Sequence, residues 1–236
     1  AGDIVCSNPS SGKLERLRGR YDIIDVTTDN AEAAARADVV VIAVKPWYAE
    51  AVVRGIGEVF DPARQMLVSV VAGVSTARLA EWTGHKDKSP AVFQVIPNTA
   101  ASIGRSMTFM SAANADAEQV AAVKSLFDTI GATMVVDEKM LDTGMILASC
   151  GIAFALRYVR AASEGGVELG CSAAQATEIV ARTMIGAGEL LLRNGTHPEQ
   201  EIDRVTTAGG ITIRGLNEME HAGFTSAVVR GLKACK

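Results

Sequence analysis

Three histidines and four cysteines are all that the 236 residues offer for soft metal binding or thiol chemistry, and they are scattered. Cys6, Cys150, Cys171 and Cys235 form no CxxC pair and stand away from the histidines. That spacing argues against a zinc site or a disulfide framework and favours reduced thiols in a cytoplasmic protein. His85, His197 and His221 each lack a partner at the spacing of a nucleophile or metal set, so they read as structural or surface residues, His197 in a helix cap and His221 near a helix C-terminus. No GxSxG, HExxH, Walker A or EF-hand pattern occurs. Neither sign of charge is in excess: the net charge is −4 and the pI about 5.5, which argues against nucleic acid or an anionic membrane as partner. The longest apolar runs, such as residues 38–44, are short against the roughly 20 residues a bilayer demands, and no signal segment opens the chain. Aromatics make up only 5%.

What is present is apolar and glycine-rich. Hydrophobic residues reach 48% against 21% charged, with 22 glycines, enough for a packed core and unlike a disordered chain. Length alone allows one large domain or two modest ones. Up to residue 136 strand and helix signals alternate. Strands are expected at Ile4–Cys6, Tyr21–Val26, Val39–Val44, Met66–Val71, Ala91–Ile96 and Thr133–Val136. Helices are expected at Lys13–Arg18, Asn30–Ala37 (capped by Thr28 or Asp29), Tyr48–Phe60, Ser75–Trp82 and Ala115–Ile130. That alternation makes βαβ units and a doubly wound sheet, with the apolar run 39–44 buried on both faces. After Val136 only helices are expected: Leu141–Ala162 as one long element, Ala173–Arg193 opened by a Ser172/Gln175 capping box, a short helix capped by Thr196 and Glu199, then Ile211–His221 and Thr225–Ala234. The division is 1–136, α/β, and 137–236, all-α. Neither part is a basic arm, with 13 basic against 15 acidic residues before Asp137 and 10 against 12 after it.

Four stretches carry chemistry. Thr206-Thr-Ala-Gly-Gly-Ile-Thr212 sits between two helices; glycines let the backbone bend and amides at a helix start attract an anion, although a plain interhelical turn has the same spacing. Ala43-Val44-Lys45-Pro46 ends a strand, where α/β sheets bind ligands, and Ala72-Gly73 is the parallel case one strand later; a solvated strand end and a turn are the simpler alternatives. Residues 7–13 after the first strand hold Ser, Asn and Lys but no acid, which suits the 2′-phosphate of NADP better than the free ribose of NAD. Asn98 and Thr99 follow another strand as candidate polar contacts or as an Asx turn.

Several of these stretches, with Val71-Ala-Gly-Val74, Ile96-Pro-Asn-Thr99, Glu164-Gly-Gly-Val-Glu-Leu-Gly170, His197-Pro198 and Gly209 through Phe224, resemble the pyrroline-5-carboxylate reductase family over nearly the whole chain. The resemblance implies a Rossmann-like NAD(P)-binding domain followed by a helical dimerisation domain like that of 6-phosphogluconate dehydrogenase. It implies NADPH, with NADH as the alternative, and reduction of the imine pyrroline-5-carboxylate to proline by a cytoplasmic homodimer or larger homo-oligomer. Carried over by residue, it places Asn8 and Asn30 along the adenosine part of the cofactor. Ala43, Val44, Lys45, Pro46, Ala72 and Gly73 fall around its ribose and nicotinamide. Thr207, Ala208, Gly209, Gly210 and Ile211 hold the substrate carboxylate, and Thr212 is the catalytic residue at the imine nitrogen. No metal is implied. The family opens with a strand and a GxGxxG turn absent from these residues, so a preceding segment is expected. It also has Ser-Gly-Ser-Gly-Pro-Ala-Tyr where this chain reads Ala148-Ser-Cys-Gly-Ile-Ala-Phe154, Ser-Pro-Gly-Gly where it reads Thr207-Ala-Gly-Gly210, and a proline at Ala100. Two rivals remain: a β-hydroxyacid dehydrogenase, whose general-acid Lys is missing from 141–162, and a non-catalytic dinucleotide-binding paralogue.

Overall fold

The computed structural model describes residues 4–22 and 24–236, and these form two compact units, one up to Met145 and one from Ile146 onward. In the first, β1 (Ile4–Ser7) and β2 (Ile24–Thr27) run parallel with Ile4 opposite Ile24, joined through α1 (Ser11–Arg18). Part of the strand expected at 21–26 falls on Ile23, outside the described residues. Asp29 rather than Thr28 caps α2 (Asn30–Ala35): its carboxylate accepts from the amides of Ala31 and Glu32 at 2.8 and 3.3 Å. After β3 (Val39–Ile42), α3 (Pro46–Ile56) begins at Pro46, ahead of the expected Tyr48. Proline suits a first helical position, where its fixed φ is helical and no N–H is needed. The unit continues with β4 (Met66–Ser69), α4 (Thr76–Trp82), β5 (Ala91–Ile96), β6 (Ser106–Ala113), α5 (Ala117–Asp128) and β7 (Gly131–Val135).

Two features depart from a single doubly wound sheet. β1 and β2 stand apart from a five-stranded sheet of order β3-β4-β5-β6-β7. β3 is therefore an edge strand, and Val41 is 45% exposed instead of buried on both faces. The second feature is β6, a strand that hydrophobic alternation misses. It runs antiparallel to β5, with Val95 opposite Met110, and parallel to β7. Its inward positions include Ser106 and Thr108, whose hydroxyls lie 2.9 Å apart, so buried polar side chains hide its pattern. β7 begins against β6 at Gly131, opposite Ser106, where φ is 151° and a side chain would strike the Ser106 carbonyl oxygen. Alternate residues of β4 and β5 feed two cores: Leu67 and Val92 pack with Val53, Ile56, Phe60 and Leu79, while Val68 and Phe93 pack with Met110, Val123 and Phe127.

The long helix expected at 141–162 is broken. α6 (Leu141–Met145) leads into one wider π-helical turn at Ile146–Cys150, followed by α7 (Gly151–Glu168). α6 packs into the first unit, where a Cβ on Gly144 would stand 2.5 Å from the Phe109 ring. The compact unit thus extends past the boundary expected after residue 136. α8 (Ala173–Asn194) opens with the Ser172/Gln175 box and closes on Gly195 at φ 61°. α9 (Pro198–Val205) is capped by His197 with Gln200, not by Thr196 with Glu199, since Pro198 as first helical residue makes His197 the cap. Thr196 instead donates to Glu201 at 2.5 Å. α10 (Ile211–His221) and α11 (Phe224–Lys233) follow, turned at Gly223 with φ 83°.

Within the second unit only Ile146, Ser163 and Ala176 are buried among the described residues. Although the uninterrupted apolar runs are short, Glu138–Glu168 is long and apolar enough to cross a bilayer by length and composition, its most apolar 18-residue window having a mean hydropathy of 1.4. Arg157 lies well inside it, and an arginine at mid-bilayer costs about 2.5–3.5 kcal/mol on insertion scales.

Candidate functional site

In the first unit a cavity of about 600 Å³ runs along β3 from Val39 to Val44, between α2 and α3, and reaches Val5, Ser7 and Asn8 of the β1 end. The Asn8 amide extends the strand ladder by donating to the Thr27 carbonyl at 3.3 Å, and its side-chain oxygen accepts from the Ser10 amide at 2.9 Å, turning the chain into α1. Ser7 Oγ donates to Asn30 Oδ1 at 2.6 Å, tying the end of β1 to the start of α2. Asn8, Asn30, Ala43 and Val44 all line this cavity, together with Thr28 and Tyr48. The nearby acids are committed elsewhere: Asp29 caps α2, and Glu32 accepts from Thr27 Oγ1 at 2.5 Å. α1 has no acidic residue in its first turn, and Ser10, its cap residue, makes no side-chain cap bond.

Lys45, Pro46, Ala72 and Gly73 lie off the wall of that cavity. Lys45 is exposed at the start of α3, while Gly73 adopts φ 78° in the turn after β4. Beneath this turn lies a residue the sequence reading passed over. Gln94, 3% exposed, donates from Nε2 to the Val71 carbonyl at 2.6 Å, and its Oε1 has no partner among the described residues. A lone amide inside the apolar strand 91–96 was the available signal. Asn98 is occupied structurally: Oδ1 accepts from the Ala100 amide at 3.0 Å and Nδ2 donates to the Met107 carbonyl at 3.4 Å, the Asx-turn alternative.

In the second unit, Thr207–Thr212 form the turn that opens α10. Gly209 takes φ 70°, a conformation side chains resist, and the Gly210 amide donates to the Thr207 carbonyl at 2.9 Å. A Cβ on Gly210 would stand 2.6 Å from Thr207 Oγ1. Gly210 is the cap residue and brings no side chain, so the first amides of α10 have no side-chain cap; the first turn holds no acid. Thr206 Oγ1 turns back to the Ile202 carbonyl at 3.1 Å. Thr212 is exposed as the second helical residue. The arrangement offers amide donors and hydroxyls to a small anion, and among the described residues no three His, Cys, Asp or Glu side chains gather as a metal set.

Residues 138–236 match the family model described as pyrroline-5-carboxylate reductase dimerisation, and residues 1–73 match that described as NADP oxidoreductase coenzyme F420-dependent. Over 98% of its length the chain is 31% identical to the pyrroline-5-carboxylate reductase of Synechocystis sp., covering 85% of that protein. The chain belongs to the pyrroline-5-carboxylate reductase family. It is also 36% identical, again over 98% of its length, to pyrroline-5-carboxylate reductase 1 of Dictyostelium discoideum, of which it spans 43%. Among solved structures, the pyrroline-5-carboxylate reductase of Coxiella burnetii superposes with a TM-score of 0.90 at 25% identity, over 98% of this chain and 85% of that one. The Plasmodium falciparum pyrroline carboxylate reductase, solved with NADP bound, shares the fold at a TM-score of 0.81 and 22% identity, over 99% and 95% of the two chains. In this pyrroline-5-carboxylate reductase family member, the divergent segment Ala148–Phe154 falls across the π-helical turn and the start of α7. Such turns are frequent at functional sites.

Proposed function

We propose that the protein reduces L-1-pyrroline-5-carboxylate to L-proline with NADPH, the last step of proline biosynthesis. The observation that carries this reading is the 31% identity along 98% of the chain to a curated reductase of which it covers 85%. The first unit fits the dinucleotide: a cleft with an amide-lined mouth, small residues at Ala43 and Val44, and no acid beside the cap of α1. Asn8 and Asn30 would hold the adenosine part, with Ser10 and Lys13 suited to a 2′-phosphate rather than a ribose diol. Ala43, Val44, Lys45, Pro46, Ala72 and Gly73 would line the ribose and nicotinamide. When bound, the cofactor supplies a hydride.

In the second unit, Thr207, Ala208, Gly209, Gly210 and Ile211 would hold the substrate carboxylate through backbone amides and the Thr207 hydroxyl. The Thr212 hydroxyl, donor and acceptor both, would bond the ring nitrogen and fix the face of the imine. The ring carbon gains a hydride and the nitrogen a proton, so the protein's task is orientation more than acid–base power. That matches a turn of hydroxyls and amides with no His or Glu in it. A homodimer or larger homo-oligomer built on residues 138–236 belongs to the same proposal, supported by the unit's apolar surface and its match to a dimerisation model. So does a cytoplasmic location, which the four free thiols suit.

The test is turnover. Purified protein given pyrroline-5-carboxylate should consume NADPH and release proline, with a higher kcat/KM for NADPH than for NADH. NADPH binding without turnover would instead establish a non-catalytic relative.

A further inference from the structure

We propose that Arg214 is a positioning residue for the turn that holds the substrate carboxylate; the proposal rests on the assignment of that turn made above. Arg214 lies one helical turn inside α10. Helical side chains lean toward the N-terminus, so an arginine at this position reaches the turn that starts its own helix. It does so here: Nη2 donates to the Gly209 carbonyl at 3.1 Å, and Nε donates to the Gly210 carbonyl at 3.4 Å.

The placement differs from the ion pairing that Arg160, Arg182, Arg193 and Arg204 of the second unit make with glutamates three or four residues away, while Arg157 and Arg230 have no carboxylate partner among the described residues. Arg214 has Glu218 at the same spacing, yet Glu218 lies 3.5 Å from His221, and no carboxylate pairs with Arg214 among the described residues. A cation at the N-terminal end of a helix also opposes the helix dipole. An anion bound at the same end offsets that opposition. By clasping two consecutive carbonyls, Arg214 fixes both peptide planes of the Gly209-Gly210 pair, the most pliable part of the turn. The Gly210 amide is already held by the Thr207 carbonyl at 2.9 Å; with the Gly210 carbonyl drawn toward the guanidinium, the Ile211 amide that follows stays free for a carboxylate, and the fixed positive charge adds to its attraction. Arg214 itself need not touch the substrate.

The test compares the carboxylated substrate with 1-pyrroline, the same ring without the carboxylate. In Arg214→Ala the ratio of KM for pyrroline-5-carboxylate to KM for 1-pyrroline should rise about tenfold while kcat stays within about twofold, the loss expected for one charge-assisted interaction. Arg214→Lys, which keeps the charge but not the fork, should recover part of that ratio. The kcat/KM for the carboxylated substrate should also lose some of its dependence on ionic strength in Arg214→Ala. An unchanged ratio, or equal losses on both substrates, overturns the proposal, since a merely structural role moves both together. Thr207→Ala and Thr212→Ala separate the two levels. If they impair the carboxylated substrate while Arg214→Ala leaves the ratio alone, the turn is correctly assigned and Arg214 has no part in it. If all three variants behave as the parent, the turn assignment fails as well.

Discussion

At the scale of single residues, the proposed substrate turn has no strong acid or base and depends on Gly210 and Thr212. Gly210 leaves the start of α10 without a capping side chain and makes room for the Thr207 hydroxyl 2.6 Å from where its Cβ would be. In the proposed reaction Thr212 would contribute a hydroxyl and nothing else. Replacing it by alanine should slow turnover about tenfold to a hundredfold, the worth of one hydrogen bond of ~1.5–3 kcal/mol, with NADPH affinity unchanged. Steady-state kinetics alongside NADPH titration checks this, and an unaltered kcat would remove Thr212 from the chemistry. The turn itself was legible in the sequence as a glycine pair ahead of a helix, a spacing that a plain interhelical turn shares; the role given to Thr212 came from the family resemblance. Gln94 and Arg214 were not, because their roles depend on partners, the Val71 and Gly209 carbonyls, that only the folded backbone brings within reach.

Among the elements, the turn from α8 to α9 is knotted by Glu201, which accepts from Thr196 Oγ1, Arg204 Nη1 and Asn194 Nδ2 at 2.5, 2.6 and 3.2 Å. The Thr196 hydroxyl first, then the Asn194 amide and Arg204, hold its pKa below the usual carboxylate range. A carboxylate with a lowered folded-state pKa stabilises fully above its ordinary titration range and loses that contribution as pH falls through the lowered value. Glu201→Gln should therefore unfold at a lower temperature than the parent near neutrality, with the gap closing on acidification; melting curves across the acid range measure it. A constant gap would mean that the amide fails for reasons of shape, not charge. Caps such as Asp29 and Ser172 were readable from sequence because cap and amide sit two or three residues apart. β6 and the π-helical turn were not: Ser106 and Thr108 turn inward under a sheet that must be known first, and Ile146–Cys150 has the apolar spacing of an ordinary helix. The His197 cap required weighing Pro198 above the more familiar Thr196.

For the molecule as a whole, the two units differ in how they keep water out. The first has two conventional cores. The second leaves Leu156 62% exposed, Ile185 63% and Leu192 87%, with almost nothing buried between its helices. Burying such side chains is worth about 1.5–3 kcal/mol each, so the proposed association would stabilise the helical unit. The protein should sediment as a dimer or larger species at micromolar concentration, with a melting temperature that rises with concentration. Leu156→Glu should shift it toward monomer in analytical ultracentrifugation; an unmoved sedimentation coefficient would place the interface on another face.

The open edges of β1 and β3 have a consequence of a different kind. Both strands line the cavity of the first unit, and neither edge carries a partner among the described residues. Ile4 and Val41 stand 43% and 45% exposed there, and neither Ile4–Ser7 nor Val39–Ile42 contains the lysine or proline that commonly guards a strand edge. Backbone donors and acceptors in such rows recruit extended chain without regard to its side chains. A segment of extended chain seated between β1 and β3 would therefore pair with both edges, closing them and shaping the cleft at the same time.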